Sequence, residues 1–164
     1  MTTNKGYKIR IYPTKEQEVL IRKHIGCCRF IWNYMLAYNE NLYESGKKIL
    51  SEFNMDRLLT PLKKEEDYSF LNEVSNKSLQ RTIRDLSFDY KRFHKAIKQG
   101  KHISKKTGKL IYKPKFKSKK KSKKAYPVDT EHFWFENGYV FIQKLKYIKY
   151  KTDLYIPDNV KFTN

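Results

Sequence analysis

The residues with chemistry to offer in this 164-residue chain are its cations. From Lys101 to Lys124 every second residue on average is lysine and none is acidic, and Lys113, Lys115, Lys117, Lys119, Lys120 and Lys121 form the densest run. Upstream, Lys77, Arg81, Arg84, Lys91, Arg92 and Lys95 share one side of a helical pattern, with Gln80 on its flank and Phe88 pointing out of its middle. Near the start, Lys8 and Arg10 alternate with apolar residues. Cations at this density neutralise phosphates and give salt-dependent affinity without reading sequence. Arginine and glutamine can also bond base edges, and an aromatic among cations can stack on a base or sugar. These residues are the candidate nucleic-acid contacts. The plainer alternatives are a solvated helix face, a solubilising linker, and a Phe88 packed on a neighbouring helix.

Catalytic groups do not gather in the same way. A two-metal nuclease needs several carboxylates converging on one apolar-walled site. Asp85 and Asp89 stand one turn apart, but Arg81, Arg84 and Arg92 beside them point to surface ion pairs. His24, His94, His102 and His132 have no metal-site spacing. Cys27 and Cys28 are adjacent, which suits a small buried residue better than a zinc site or a disulfide framework. There is no G-x-S-x-G, no P-loop and no glycine-rich dinucleotide turn. The expectation is a binding protein and not an enzyme, with no catalytic residue, metal or cofactor.

Charge distribution agrees. The net charge is +19, from 36 basic and 17 acidic residues. Residues 1–100 hold 19 basic and 12 acidic groups, residues 101–125 hold 12 and none, and residues 126–164 hold 5 of each. The excess therefore sits in the lysine run, and it speaks to a polyanionic partner. No apolar run approaches the ~20 residues that span a bilayer, and no signal-peptide pattern opens the chain, so a cytoplasmic protein is expected.

The elements that must position these cations follow from periodicity. Tyr7, Ile9 and Ile11 alternate with Lys8, Arg10 and Tyr12 as in a half-buried strand with a basic outer face, ended by Pro13. Thr14 and Gln17 have capping-box spacing, predicting a helix that stops at Gly26 and a second helix immediately after it. In that second helix Cys27, Ile31, Met35, Tyr38 and Leu42 form one apolar stripe. Trp32, Leu36 and Tyr43 lie on another flank, read either as burial on two sides or as an aromatic strip for stacking bases. Gly46 suits a C-terminal cap. A shorter helix over about 51–64 carries Phe53, Leu58, Leu59 and Leu62, with Pro61 bending or interrupting it. The clearest helix is 76–99, where Leu79, Ile83, Leu86, Tyr90, Phe93 and Ile97 recur every three or four residues.

The lysine run has too few apolar groups to bury itself and is expected to be mobile when unbound. After Ala125 the pattern turns extended. Stretches 126–135 and 139–143 flank Asn137-Gly138, a strong hairpin signal, followed by strands near 145–150 and 154–156. The fold class predicted is α+β: a helical bundle inserted in a small, incomplete antiparallel β-barrel. The barrel is assigned to 1–13 and 126–164, the helical insertion to 14–100 and the flexible loop to 101–125.

The order Y-K-I-R-I-Y-P-T-K-E-Q, a helix, then G-C-C-R-F-I-W-N-Y resembles the amino-terminal region of TnpB/OrfB-type proteins. These are transposon-encoded, RNA-guided relatives of type V CRISPR effectors. Lys113-Pro114-Lys115-Phe116-Lys117-Ser118-Lys119 resembles that family's P-x-F-K-S-K motif, in the expected order. The resemblance covers nearly the whole chain but less than half of a full family member. It implies wedge and recognition domains that bind guide RNA and read a short DNA motif. The RuvC-like nuclease and zinc ribbon would lie beyond this sequence.

By that resemblance Lys77, Gln80, Arg81 and Arg84 match the helical stretch that reads DNA. Gln143-Lys144-Leu145-Lys146 departs from the family's P-K-L-G. The partners implied are structured, guide-like RNA and double-stranded DNA, with no membrane. One alternative is the front half of an RNA-guided endonuclease whose catalytic domain is missing. Another is a helix-turn-helix DNA-binding protein, suggested by the order helix, Gly26, helix, although the second helix is apolar for a groove reader. A third is a basic scaffold or membrane-surface protein.

Overall fold

The computed structural model describes residues 6–100 and 112–153. Their fold is α+β, with strand β1 (Arg10–Tyr12), three α-helices, a 3-10 helix at Glu66–Glu73, and strands β2 (Phe133–Glu136), β3 (Tyr139–Ile142) and β4 (Lys146–Lys151). Two compact units result. One joins the residues up to Lys23 with those from Val128 on, and the other holds His24–Pro127.

In the first unit the strands form one antiparallel sheet in the order β1-β4-β3-β2, which among the described residues does not close into a barrel. The hairpin turns where the Asn-Gly pair requires: Asn137 and Gly138 both have positive φ, 48° and 78°, the geometry that matches the twist of a two-residue hairpin. β2 is shorter than the stretch from 126 predicted. Pro127 offers no ladder N–H, and a 3-10 turn at Thr130–His132 closes with the His132 amide donating to the Asp129 carbonyl at 2.9 Å. Tyr7, expected on the inner side of the first strand, is 53% exposed. The strand expected at 154–156 lies outside the described residues.

Helix α1 (Lys15–Glu44) opens on the predicted capping box. The Thr14 amide donates to Gln17 Oε1 at 2.9 Å, and the Gln17 amide to Thr14 Oγ1 at 3.3 Å. It does not stop at Gly26. A helical glycine costs roughly 1 kcal/mol relative to alanine, and the burial of His24, Cys27, Cys28, Ile31 and Trp32 around it outweighs that. The helix ends instead at Gly46, whose φ of +70° completes a Schellman cap: Gly46 N–H bonds the Tyr43 carbonyl at 3.0 Å and Lys47 N–H the Leu42 carbonyl at 2.8 Å.

In the second unit α1 packs with α2 (Glu52–Leu62) and α3 (Asn76–Lys98). Ile31, Met35, Leu36, Met55, Leu59, Leu79, Ile83 and Leu86 are almost wholly excluded from solvent. The α2 cap is Ser51, and Pro61 stands one residue before the helix ends. The predicted stripes fray outward: Tyr38 and Tyr43 on α1, Phe53 on α2 and Ile97 on α3 are all exposed. His24 is fully buried and its Nε2 accepts the Ser75 amide at 3.0 Å, tying α1 to the start of α3.

Candidate nucleic-acid interface

α3 presents its cations because its apolar stripe is buried. Leu79, Ile83, Leu86 and Tyr90 face the core, so the opposite side is left to Lys77, Arg84, Lys91, Arg92 and Lys95, all exposed. Gln80 and Arg81 are half-buried. Part of this charge is engaged by neighbouring acids. Arg81 Nε lies 3.5 Å from Asp85, Arg92 3.0 Å from Asp89, and Arg84 Nε 3.2 Å from Glu52 on α2. The more exposed pairs, those of Arg84 and Arg92, are held by only about 0–1 kcal/mol. Phe88 is 52% exposed, with Lys91 Nζ 5.5 Å from its ring centroid.

The lysine segment departs from expectation, because from Lys113 to Ser118 it is seated on α1. Trp32 Nε1 donates to the Lys115 carbonyl at 2.9 Å. The Asn33 side chain makes a reciprocal pair with the Lys117 backbone, donating to its carbonyl at 2.9 Å and accepting its amide at 2.8 Å. Lys117 Nζ lies 3.4 Å from the centre of the Trp32 ring, and Pro114 is buried. Lys113 pairs with Glu40 at 3.0 Å, and Lys115 Nζ stands 4.7 Å over the Tyr112 ring. Ser118 then turns the chain, its Oγ accepting the Lys121 amide at 2.9 Å, so that Lys119, Lys120 and Lys121 are exposed on a formed turn.

Anchoring removes the like-charge objection to order. The segment's backbone is satisfied by Trp32 and Asn33, while most of its ammonium groups stay in water. The part of the lysine run at 101–111 lies outside the described residues.

This seat also brings α3 and the lysine segment to one cleft of about 310 Å³, lined by Cys28, Arg29, Thr82, Asp85, Lys117, Lys119, Lys123, Lys124 and Tyr126 among others. Burial raises the Asp85 carboxyl above its usual range, against the opposing charges of Arg81 and Lys117. Burial likewise lowers Lys117, with Asp85 and Asp89 opposing. Each group thus supports the other's charged form across the cleft. Cys28, at the floor, is pushed up to about 11 by burial and is a core thiol. Lys8 and Arg10 belong to the sheet unit, exposed at and just before β1.

The burial expected of Trp32 holds, but sequence reasoning does not foresee that Trp32 and Asn33 seat the lysine segment. A signal is present: the W-N pair and the K-P-K-F-K-S-K run are the two motifs of the family resemblance, and they bond to each other. Among the described residues no group of three or more His, Cys, Asp or Glu side chains is placed to hold a metal ion. No helix among them is long and apolar enough to cross a membrane.

Residues 1–48 match the helix-turn-helix domain family of the OrfB/IS605 type. The chain is similar in these residues to OrfB-type proteins. It is homologous over most of its length to proteins assigned as RNA-guided DNA endonucleases. One, from Streptomyces pristinaespiralis, is 29% identical over 140 residues, covering 85% of this chain and 32% of that protein. Another, InsQ of Escherichia coli, is 26% identical over 157 residues, covering 95% of this chain and 36% of that protein. The chain thus spans about a third of the length of the curated relatives it matches. Within the matched residues 1–48 the described residues contain β1 and one unbroken helix, without a turn at Gly26.

Proposed function

We infer that this chain is the nucleic-acid-recognition part of a TnpB-like RNA-guided system, binding structured, guide-like RNA and a duplex DNA motif without a nuclease site of its own. The observation that carries the reading is the seat of the lysine segment on Trp32 and Asn33, which makes a cationic ridge beside the basic face of α3. Ridge and helix then divide the work. Lys113, Lys115, Lys117, Lys119, Lys120 and Lys121 supply phosphate contacts. Lys77, Gln80, Arg81 and Arg84 near the start of α3 face base edges, with Phe88, Lys91, Arg92 and Lys95 continuing the surface along the helix. Lys8 and Arg10 extend phosphate binding to the sheet unit.

The test is purification of the chain from its host at moderate salt, followed by sequencing of the retained RNA. Enrichment of one structured RNA supports the reading. Nucleic-acid-free protein that takes up neither RNA nor duplex DNA contradicts it.

A second reading is favoured by the names and lengths of the relatives: the segment acts as the front third of an RNA-guided DNA endonuclease. In-frame coding sequence beyond codon 164 that carries a carboxylate-bearing domain would support this.

A further inference from the structure

The sheet has two faces of opposite character. Successive side chains alternate across a strand, and the pairing register therefore aligns Ile11, Phe135, Val140, Ile148 and Tyr150 on one side, where Val140 and Ile148 are buried. The same register runs a row of rings across three strands of the other side: Trp134 opposite Phe141, and Phe141 opposite Tyr147. Trp134 and Phe141 stack nearly parallel, with centroids 3.9 Å apart at 14°, and Tyr147 meets Phe141 edge-on at 5.2 Å. Trp134 nevertheless stays 43% exposed and Tyr147 50%. Alongside the row, Arg10 pairs opposite Lys151, and Lys149 lies opposite Tyr12 and Tyr139. These cations are exposed and share the face of the rings. The carboxylate on that face, Glu136, accepts the Tyr147 hydroxyl at 3.2 Å.

We propose that this face binds single-stranded nucleic acid, the Trp134-Phe141-Tyr147 row stacking on unpaired bases while Arg10, Lys149 and Lys151 hold the adjoining phosphates. Rings and cations interleaved on one surface match a ligand that carries flat apolar faces and negative charge in alternation. A single strand supplies both. A duplex conceals its base faces in its own stack and offers only the phosphates. The inference rests on the nucleic-acid reading above and adds to it a surface separate from α3, with unpaired bases as its ligand.

The full chain is titrated with labelled oligouridine and, separately, with duplex DNA. Trp134→Ala and Tyr147→Ala should each weaken oligouridine binding about tenfold, leave duplex binding unchanged, and be largely rescued in Trp134→Phe. Oligouridine should quench tryptophan emission in the parent and not in Trp134→Phe, since the other tryptophan, Trp32, is buried. If the alanine variants do not fold, Lys149→Ala with Lys151→Ala should lower the salt slope of oligouridine binding by about 0.7 per lysine.

Unchanged oligouridine affinity in a folded Trp134→Ala variant, or an unchanged slope in the lysine variant, overturns the proposal. Duplex binding without oligouridine binding overturns this site alone, whereas binding neither overturns the nucleic-acid reading as well. Trp134-dependent binding to phosphatidylserine vesicles in place of oligouridine would assign the face to a membrane surface and overturn the proposal too.

Discussion

Asn33→Ala isolates the contact on which the cationic ridge depends. The substitution removes two bonds, Nδ2 to the Lys117 carbonyl at 2.9 Å and the Lys117 amide to Oδ1 at 2.8 Å. It leaves the Trp32 bond to the Lys115 carbonyl in place. At about 1 kcal/mol net for each bond, the lysine segment loses about 2 kcal/mol of hold on α1. Asn33 is only half-buried, so the core beneath is hardly disturbed and the loss is local. Where reclosing outpaces cleavage, protease sensitivity follows the population of the open form, and about 2 kcal/mol raises that population about thirtyfold. Trypsin, which cuts after lysine, reads this directly. Cleavage after Lys115 and Lys117 should accelerate about thirtyfold in Asn33→Ala while the melting temperature of the helical unit moves little. Equal cleavage rates in the two proteins would mean that the segment is already open in the parent, and would refute the seat.

Three further outcomes follow from the same structure. Gln17→Ala should cost about 2 kcal/mol of stability in denaturant unfolding, because this side chain both closes the cap of α1 and donates to the Leu145 and Tyr147 carbonyls, each at 2.9 Å; a cost within experimental error would show that those carbonyls are satisfied without it. Lys146→Gly should stabilise by about 1 kcal/mol, since Lys146 sits at φ +60°, where the related family pattern has glycine and a lysine Cβ is strained; a lower denaturation midpoint would contradict the strain. Cys28, with its thiol pushed up to about 11 and almost wholly buried, should resist alkylation at neutral pH until the protein unfolds; labelling much faster than global unfolding would contradict its place in the core.

What can be read from the sequence is local. The Thr14-Gln17 box, the Asn137-Gly138 turn, the Gly46 cap and the 76–98 helix all rest on residues a few positions apart, where propensity and periodicity act directly. The Asp85 and Asp89 ion pairs belong to the same class, each bridging to an arginine on its own helix. Gly26 misleads because a helix-breaking preference of about 1 kcal/mol is small beside the burial of the residues around it.

The long-range contacts leave no local trace. Asn33 meets Lys117 across 84 positions, and Gln17 meets Leu145 across 128. Neither pairing has a spacing to detect. The lysine run reads as unpacked because its side chains cannot be buried together. In the folded chain its 113–118 part is held by its backbone, which leaves most of the side chains there outside. The outer face of the sheet is half visible in the sequence, through Lys8 and Arg10. The ring row beside them requires the register of three strands.

Whether the seated lysine segment is a phosphate-binding ridge is decided by the salt dependence of binding to duplex DNA and to structured RNA. The proteins to compare are the parent chain and a variant with Lys119, Lys120, Lys121, Lys123 and Lys124 changed to alanine. Each lysine that touches a duplex phosphate contributes about 0.9 to the slope of log affinity against log salt. The variant should bind more weakly, with a duplex slope lower by about 0.9 for every lysine–phosphate pair that the substitutions remove. An unchanged slope in a folded variant would contradict the ridge.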